Sequence, residues 1–124
     1  MGGPLDETSR VKWWFGLLAL LPALATASVW AEAFLASRAL GHWPIPSLED
    51  PKDLVTAPLH VVSALLVLAM LPGALFLLAG CIKNWRALSR ASSHWLWLAV
   101  FATSFAIHVW VVTAYPRTWE WWWD

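Results

Sequence analysis

The sequence predicts an all-α, polytopic membrane protein: one membrane domain with three transmembrane helices in an up-down-up bundle. Three observations predict it. Apolar stretches at 13–36, 57–80 and 95–115 each reach the roughly 20 residues needed to cross hydrocarbon, with at most one charge apiece. Hydrophobic residues make up 60% of the chain and charged residues 13%, against about 45–50% and about 25% in soluble domains. Ten of the twelve tryptophans gather near the expected span ends.

The first stretch follows Arg10 and Lys12, and Pro22 with Ala25-Thr26-Ala27 resembles the end of a secretory signal. The apolar pattern runs on through Val29-Trp30 and Phe34-Leu35, so the segment reads as a span that is kept. The loop 37–56 contains Pro44, Pro46 and Pro51, and Pro58 opens the next span. Proline fixes φ and biases its predecessor toward extended backbone, so this loop is expected to be semi-rigid and extended. The second span carries Pro72 and ends near Cys81, the single cysteine, which offers neither a disulfide framework nor a metal site. The loop 81–94 holds Lys83, Arg86 and Arg90 without an acid. Pro116 is expected to end the third span, leaving a tail of Trp119, Glu120, Trp121, Trp122, Trp123 and Asp124 along the outer interface or against a partner.

Lysine and arginine set orientation. Arg10, Lys12, Lys83, Arg86 and Arg90 fall on one side; Arg38, Lys52 and Arg117 fall on the other, diluted by five acidic residues. The first side reads as cytoplasmic, which gives a bacterial inner-membrane protein with its N-terminus inside and its C-terminus outside. Trp13, Trp14, Trp85, Trp95 and Trp97 then lie near the inner boundary, and Trp43, Trp119, Trp121, Trp122 and Trp123 near the outer one. Indoles settle at headgroup level with the N–H wet, so interfacial anchoring accounts for these ten. Trp30 and Trp110 sit inside spans.

The segment 39–52, with His42-Trp43-Pro44-Ile45-Pro46 at its centre, resembles a loop found in small, uncharacterised bacterial integral membrane proteins, as does the Trp/Asp-rich C-terminus. The resemblance covers some fourteen residues plus the tail and implies a membrane protein, with no activity attached.

Ionisable groups inside spans are costly and are candidates for function. Glu32, His60 and His108 all thread into the outer half, within roughly 6 Å of one another in depth. Ser28, Ser63 and Ser104 share helical faces with them. Glu32, His60, Ser63, Ser104 and His108 are therefore the candidate cofactor-binding residues. Two histidines on different helices suit axial ligation of b-type haem; imidazole and carboxylate also suit a quinone, a proton relay or a divalent ion. The plainer reading pairs Glu32 with a histidine or Arg38 and leaves the histidines on backbone or serine. His42 and His94 are expected to be solvated.

A second pattern concerns partners. Ala19, Ala23, Ala27 and Ala31 form a four-residue repeat on the first span, followed by Ala69 and Gly73 on the second and Ala99, Ala102, Thr103 and Ala106 on the third. Small stripes let helix backbones approach closely. They lie opposite the polar stripe on every span, so a single copy is not expected to satisfy both faces. No paired aspartate, phosphate-cradling loop or nucleophile motif is present, and nothing basic enough for nucleic acid. The twelve residues before the first span, nine after the last, and loops of twenty and fourteen leave no expectation of a soluble domain.

The leading expectation is thus a non-enzymatic accessory or assembly subunit of a larger inner-membrane complex, with the lipid bilayer and other membrane subunits or further copies of itself as partners. The alternative is an anchor binding haem b or quinone, similar in general plan to the three-helix anchor subunits of succinate dehydrogenases but without their motifs. A small oligomeric channel or transporter is the third.

Overall fold

A computed structural model describes residues 7–83 and 92–124. The expectations placed on Trp85, Arg86 and Arg90, and on the side chains of Arg10, Lys12, Trp13, His94 and Trp95, lie outside what it describes.

The chain is all-helical among the described residues, and three helices are long and apolar enough to cross a membrane: α1 (Glu7–Leu40), α2 (Ala57–Lys83) and α3 (Ser92–Ala114). A short fourth helix, α4 (Pro116–Trp123), follows. Alanine and leucine runs favour each long helix. α1 stops where Gly41 adopts φ 79°, with its N–H on the Ser37 carbonyl at 2.9 Å. This is a left-handed cap that glycine enters without a Cβ penalty. α2 starts where the Thr56 carbonyl accepts from Leu59 and His60, with Pro58 in the first turn, where a missing N–H costs nothing. Tyr115 (φ −129°, ψ 61°) breaks the path from α3, and Pro116 opens α4 in the same manner.

α1 is the central helix. It packs on both α2 and α3, which make little contact with each other. Leu18 and Leu21 of α1 meet Gly73, and Phe15 meets Gly80; on the other side Gly16 meets Trp97, and the Ala19 carbonyl accepts from Ser104. The wedge left between α2 and α3 at one end is filled by α4, whose Trp119, Trp121 and Trp122 join Val29, Ala33 and Ala36 of α1 in the main core. We call this the capped end.

The 41–56 connection is mostly turns, where an extended run was expected. Its prolines explain the difference. Pro46 and Pro51 each take the second position of a four-residue turn, the place that their fixed φ suits. Leu48 N–H bonds the Ile45 carbonyl (3.3 Å) with Ser47 at φ 62°, and Asp53 N–H bonds the Asp50 carbonyl (3.1 Å). Asp50 also accepts from Lys52 N–H at 2.8 Å, and Glu49 from Ile45 N–H at 2.9 Å.

Candidate functional site

The capped end holds the buried polar residues. Glu32 lies about two turns before the end of α1 and is fully buried. Its Oε1 lies 2.9 Å from His60 Nδ1. Its Oε2 accepts from Ser63 Oγ at 2.8 Å and from Trp122 Nε1 at 3.0 Å. The Trp122 N–H is shared with Ser63 Oγ at 2.9 Å, and the Ser63 hydroxyl also reaches the His60 carbonyl at 2.9 Å. Three donors on one carboxylate offset much of the cost of burying it. His60 and Ser63 share a face of α2 because they are three residues apart.

His108 belongs to a second cluster. Its Nδ1 lies 2.7 Å from Thr26 Oγ1, and the Thr26 hydroxyl donates to the Pro22 carbonyl at 2.9 Å. A hydroxyl has one proton, and a carbonyl can only accept, so the consistent assignment has His108 Nδ1–H donating to Thr26. Ser104 does not join the histidine. Its hydroxyl bonds the Ala19 and Phe101 carbonyls, both at 3.0 Å, and so ties α3 to α1. Ser28 likewise turns back onto its own helix, at the Ala25 carbonyl.

Rings connect the clusters. The His60 imidazole lies 5.2 Å from the Trp122 indole, Trp122 lies 5.6 Å from Trp119, and Trp119 lies 5.1 Å from His108, centroid to centroid. The two imidazoles, for which axial ligation of a haem was one of several readings, are thus linked through two indoles that lie between them. Among the described residues no group of three or more His, Cys, Asp and Glu side chains is placed to hold a metal ion.

Anchoring at an interface does not describe three of the tail tryptophans. Trp119, Trp121 and Trp122 are buried, while Trp123 is 66% exposed. Because Pro116 starts a new helix that folds back, the buried positions 118, 119, 121 and 122 form one face turned into the bundle. Trp14 is exposed as expected; Trp110, also exposed, lies on the outward side of α3. Trp30 packs on Trp43 and, edge-on, on Tyr115. Arg38 stacks over Phe34 at 4.9 Å, so the buried carboxylate draws its partner from histidine. His42 is exposed as expected, though paired with Glu49 at 3.2 Å.

The small residues divide. Ala19 and Gly73 are buried and Ala69 is half-buried, as inter-helix packing requires. Ala23, Ala27 and Ala31 on α1 face outward, as do Ala99, Ala102, Thr103 and Ala106 on α3. The interior takes in the polar stripe together with Ala19, Ala25, Ala33, Ala36 and Gly73, and the small-residue faces left uncovered are those of Ala23, Ala27 and Ala31 and of Ala99, Ala102 and Ala106.

Two members of the site were not anticipated: Thr26 and Trp122. Thr26 stands one turn after Pro22, where a hydroxyl readily bonds the carbonyl four residues back, and that spacing was the available signal. Trp122 had no signal, since only the fold-back of α4 brings it to Glu32. Known protein families, curated proteins and solved structures provide no match to this chain.

Proposed function

We propose that this is an integral membrane protein of the bacterial inner membrane. In this reading its three spans run up-down-up, with the capped end and the C-terminus outside. Its role is that of a non-enzymatic accessory or assembly subunit of a larger complex. The helix pairings support the threading: Phe15 with Gly80 and Glu32 with His60 suit antiparallel neighbours, while Gly16 with Trp97 and Thr26 with His108 suit parallel ones.

The observation that carries the subunit reading is the outward placement of Ala23, Ala27 and Ala31 on α1 and of Ala99, Ala102 and Ala106 on α3. With Glu32, Ser63 and His108 paired within one copy, these are the faces left to pack on another helix. In lipid, small faces supply the close backbone approach that drives association. α2 offers the contrast, with Leu65, Leu68, Leu71, Leu75 and Phe76 turned outward as an ordinary acyl-chain surface.

Affinity purification in mild detergent, followed by native sizing and mass spectrometry, tests this. The outcome expected is a membrane protein that co-purifies in fixed ratio and is lost in Ala27→Leu, whose bulk blocks the close approach. A stable monomer would defeat the reading; a homo-oligomer would transfer support to the channel alternative.

A further inference from the structure

The capped end contains its own description of a ligand. Trp122 presents a flat ring to the base of the wedge, with one N–H directed at Glu32 Oε2 and Ser63 Oγ and with the His60 imidazole against it. The element that carries this ring is short and is held by its buried indoles rather than by its own backbone. α4 spans eight residues, well below the roughly 12–15 at which an isolated helix becomes even marginal in water, so it keeps its form only while docked. It hangs from Pro116, just past Tyr115, whose N–H still bonds the Val111 carbonyl of α3 at 3.0 Å but whose φ −129° and ψ 61° leave the helical path. Its far end is tied by exposed contacts: the Asp124 carboxylate accepts from Ser47 N–H and Oγ, and Lys52 Nζ reaches the Asp124 carbonyl. Docking also leaves the Trp119 and Trp121 indole N–H groups buried without a partner among the described residues. Burying an unpaired donor opposes the docked state. A short helix on a hinge, carrying two unpaired buried donors, is held by three buried indoles and an exposed latch, so whatever displaces it must replace the ring surface and the N–H that it supplies.

We infer that α4 is a hinged plug and that, when it swings out, the wedge between α2 and α3 receives a membrane-soluble amphiphile with a planar ring that bears a hydrogen-bond donor. The chemical class follows from Glu32. A carboxylate only accepts, so the incoming ring must offer O–H or N–H where Trp122 offers N–H. A hydroquinone head meets that demand. The oxidised quinone presents carbonyl oxygens to the carboxylate and is rejected, since it leaves a buried acceptor facing acceptors. This discriminates between two forms of one ring, which the bare presence of histidines and a carboxylate does not. The inference rests on the proposed membrane placement and is independent of any partner subunit.

The test uses the full chain in lipid nanodiscs, with decylubiquinol and decylubiquinone as probes. Failure to enter the discs as a folded helical protein would count against the membrane reading itself; the following outcomes concern the plug alone. Decylubiquinol is expected to bind saturably and at least tenfold more tightly than decylubiquinone. On binding it should accelerate amide hydrogen exchange across 118–124 by tenfold or more while α1 stays protected. In a Cys81→Ser background, Ser47→Cys with Asp124→Cys pins the latch as a disulfide, and binding should vanish when the pair is oxidised and return on reduction. The reduced protein controls for folding. Absence of quinol binding, equal binding of both forms, or binding undiminished by the lock would each overturn the proposal.

Discussion

The two ends of the bundle are held by different physics. At the capped end, helices meet through buried polar groups: Glu32 with His60 and Ser63 across α1 and α2, and Thr26 with His108 across α1 and α3. Toward the other end they meet through shape. A Cβ on Gly80 would stand 2.7 Å from Phe15 Cζ, and one on Gly16 would stand 3.2 Å from Trp97 Cη2, so bare glycine backbone receives aromatic knobs. Among the described residues, only the capped end recruits a fourth element. A glycine-and-ring contact seals the space between two helices by itself. A polar pair holds helices apart at side-chain length and leaves a wedge, which the α4 indoles fill. Stability and accessibility are therefore separated along the bundle, with the rigid joint at one end and the openable one at the other.

The strongest way to break that contrast is Glu32→Ala. It removes the acceptor shared by His60, Ser63 and Trp122; Ser63 keeps the His60 carbonyl and Trp122 keeps Ser63 Oγ, while the His60 Nδ1–H loses its partner. The expected loss is about 3–5 kcal/mol, from the cavity left by a fully buried side chain together with the stranded His60 donor. Denaturant titration in mixed micelles reads it, and the loss should be accompanied by exposure of α4. A loss under about 1 kcal/mol would mean that the network is a bystander to packing. Gly80→Val probes the other joint. Overpacking of this kind costs about 1–3 kcal/mol, and here the Phe15 ring must yield. The same titration should show destabilisation with α4 still protected from hydrogen exchange, because the damage lies at the opposite end. If both variants release α4 equally, the two ends are one cooperative unit and the separation fails.

How much of this was legible beforehand differs between the two joints. The spans were readable from length and apolarity, and α2 begins at the expected residue, because burying twenty apolar residues leaves few alternatives. α1 runs four residues further than the expected boundary at 36, since Arg38 can lie over Phe34 while the backbone stays helical. Matching depth offered Glu32 a histidine or Arg38; the structure gives it His60, and Ser63 as well, which depth alone did not assign. The direction of the small-residue stripes did not. Alanines 23, 27 and 31 and the polar stripe are each a sound helix-packing surface, and sequence periodicity gives relative phase without saying which phase is inside. The tail was least legible. Pro116 marks where α3 must stop, yet whether the next residues run on along an interface or fold back depends on the wedge, which exists only once three helices have assembled.

The smallest expected effect falls on the latch, and it tests the separation most finely. Asp124→Asn keeps an oxygen that can accept from Ser47 but removes the charge. The contact is exposed, so its share of global stability should stay under about 0.5 kcal/mol, within the usual range for surface changes. Global unfolding should therefore be unchanged. Local opening of α4 is a smaller equilibrium, in which the latch is one of few restraints. The same loss of up to about 0.5 kcal/mol there multiplies the open population by up to roughly twofold. Amide exchange over 118–124 should accelerate by that factor while α1, α2 and α3 keep their rates. Acceleration spread over all helices would show that α4 opens only when the bundle unfolds, and no acceleration at all would place its restraint wholly in the buried Trp122–Glu32 bond.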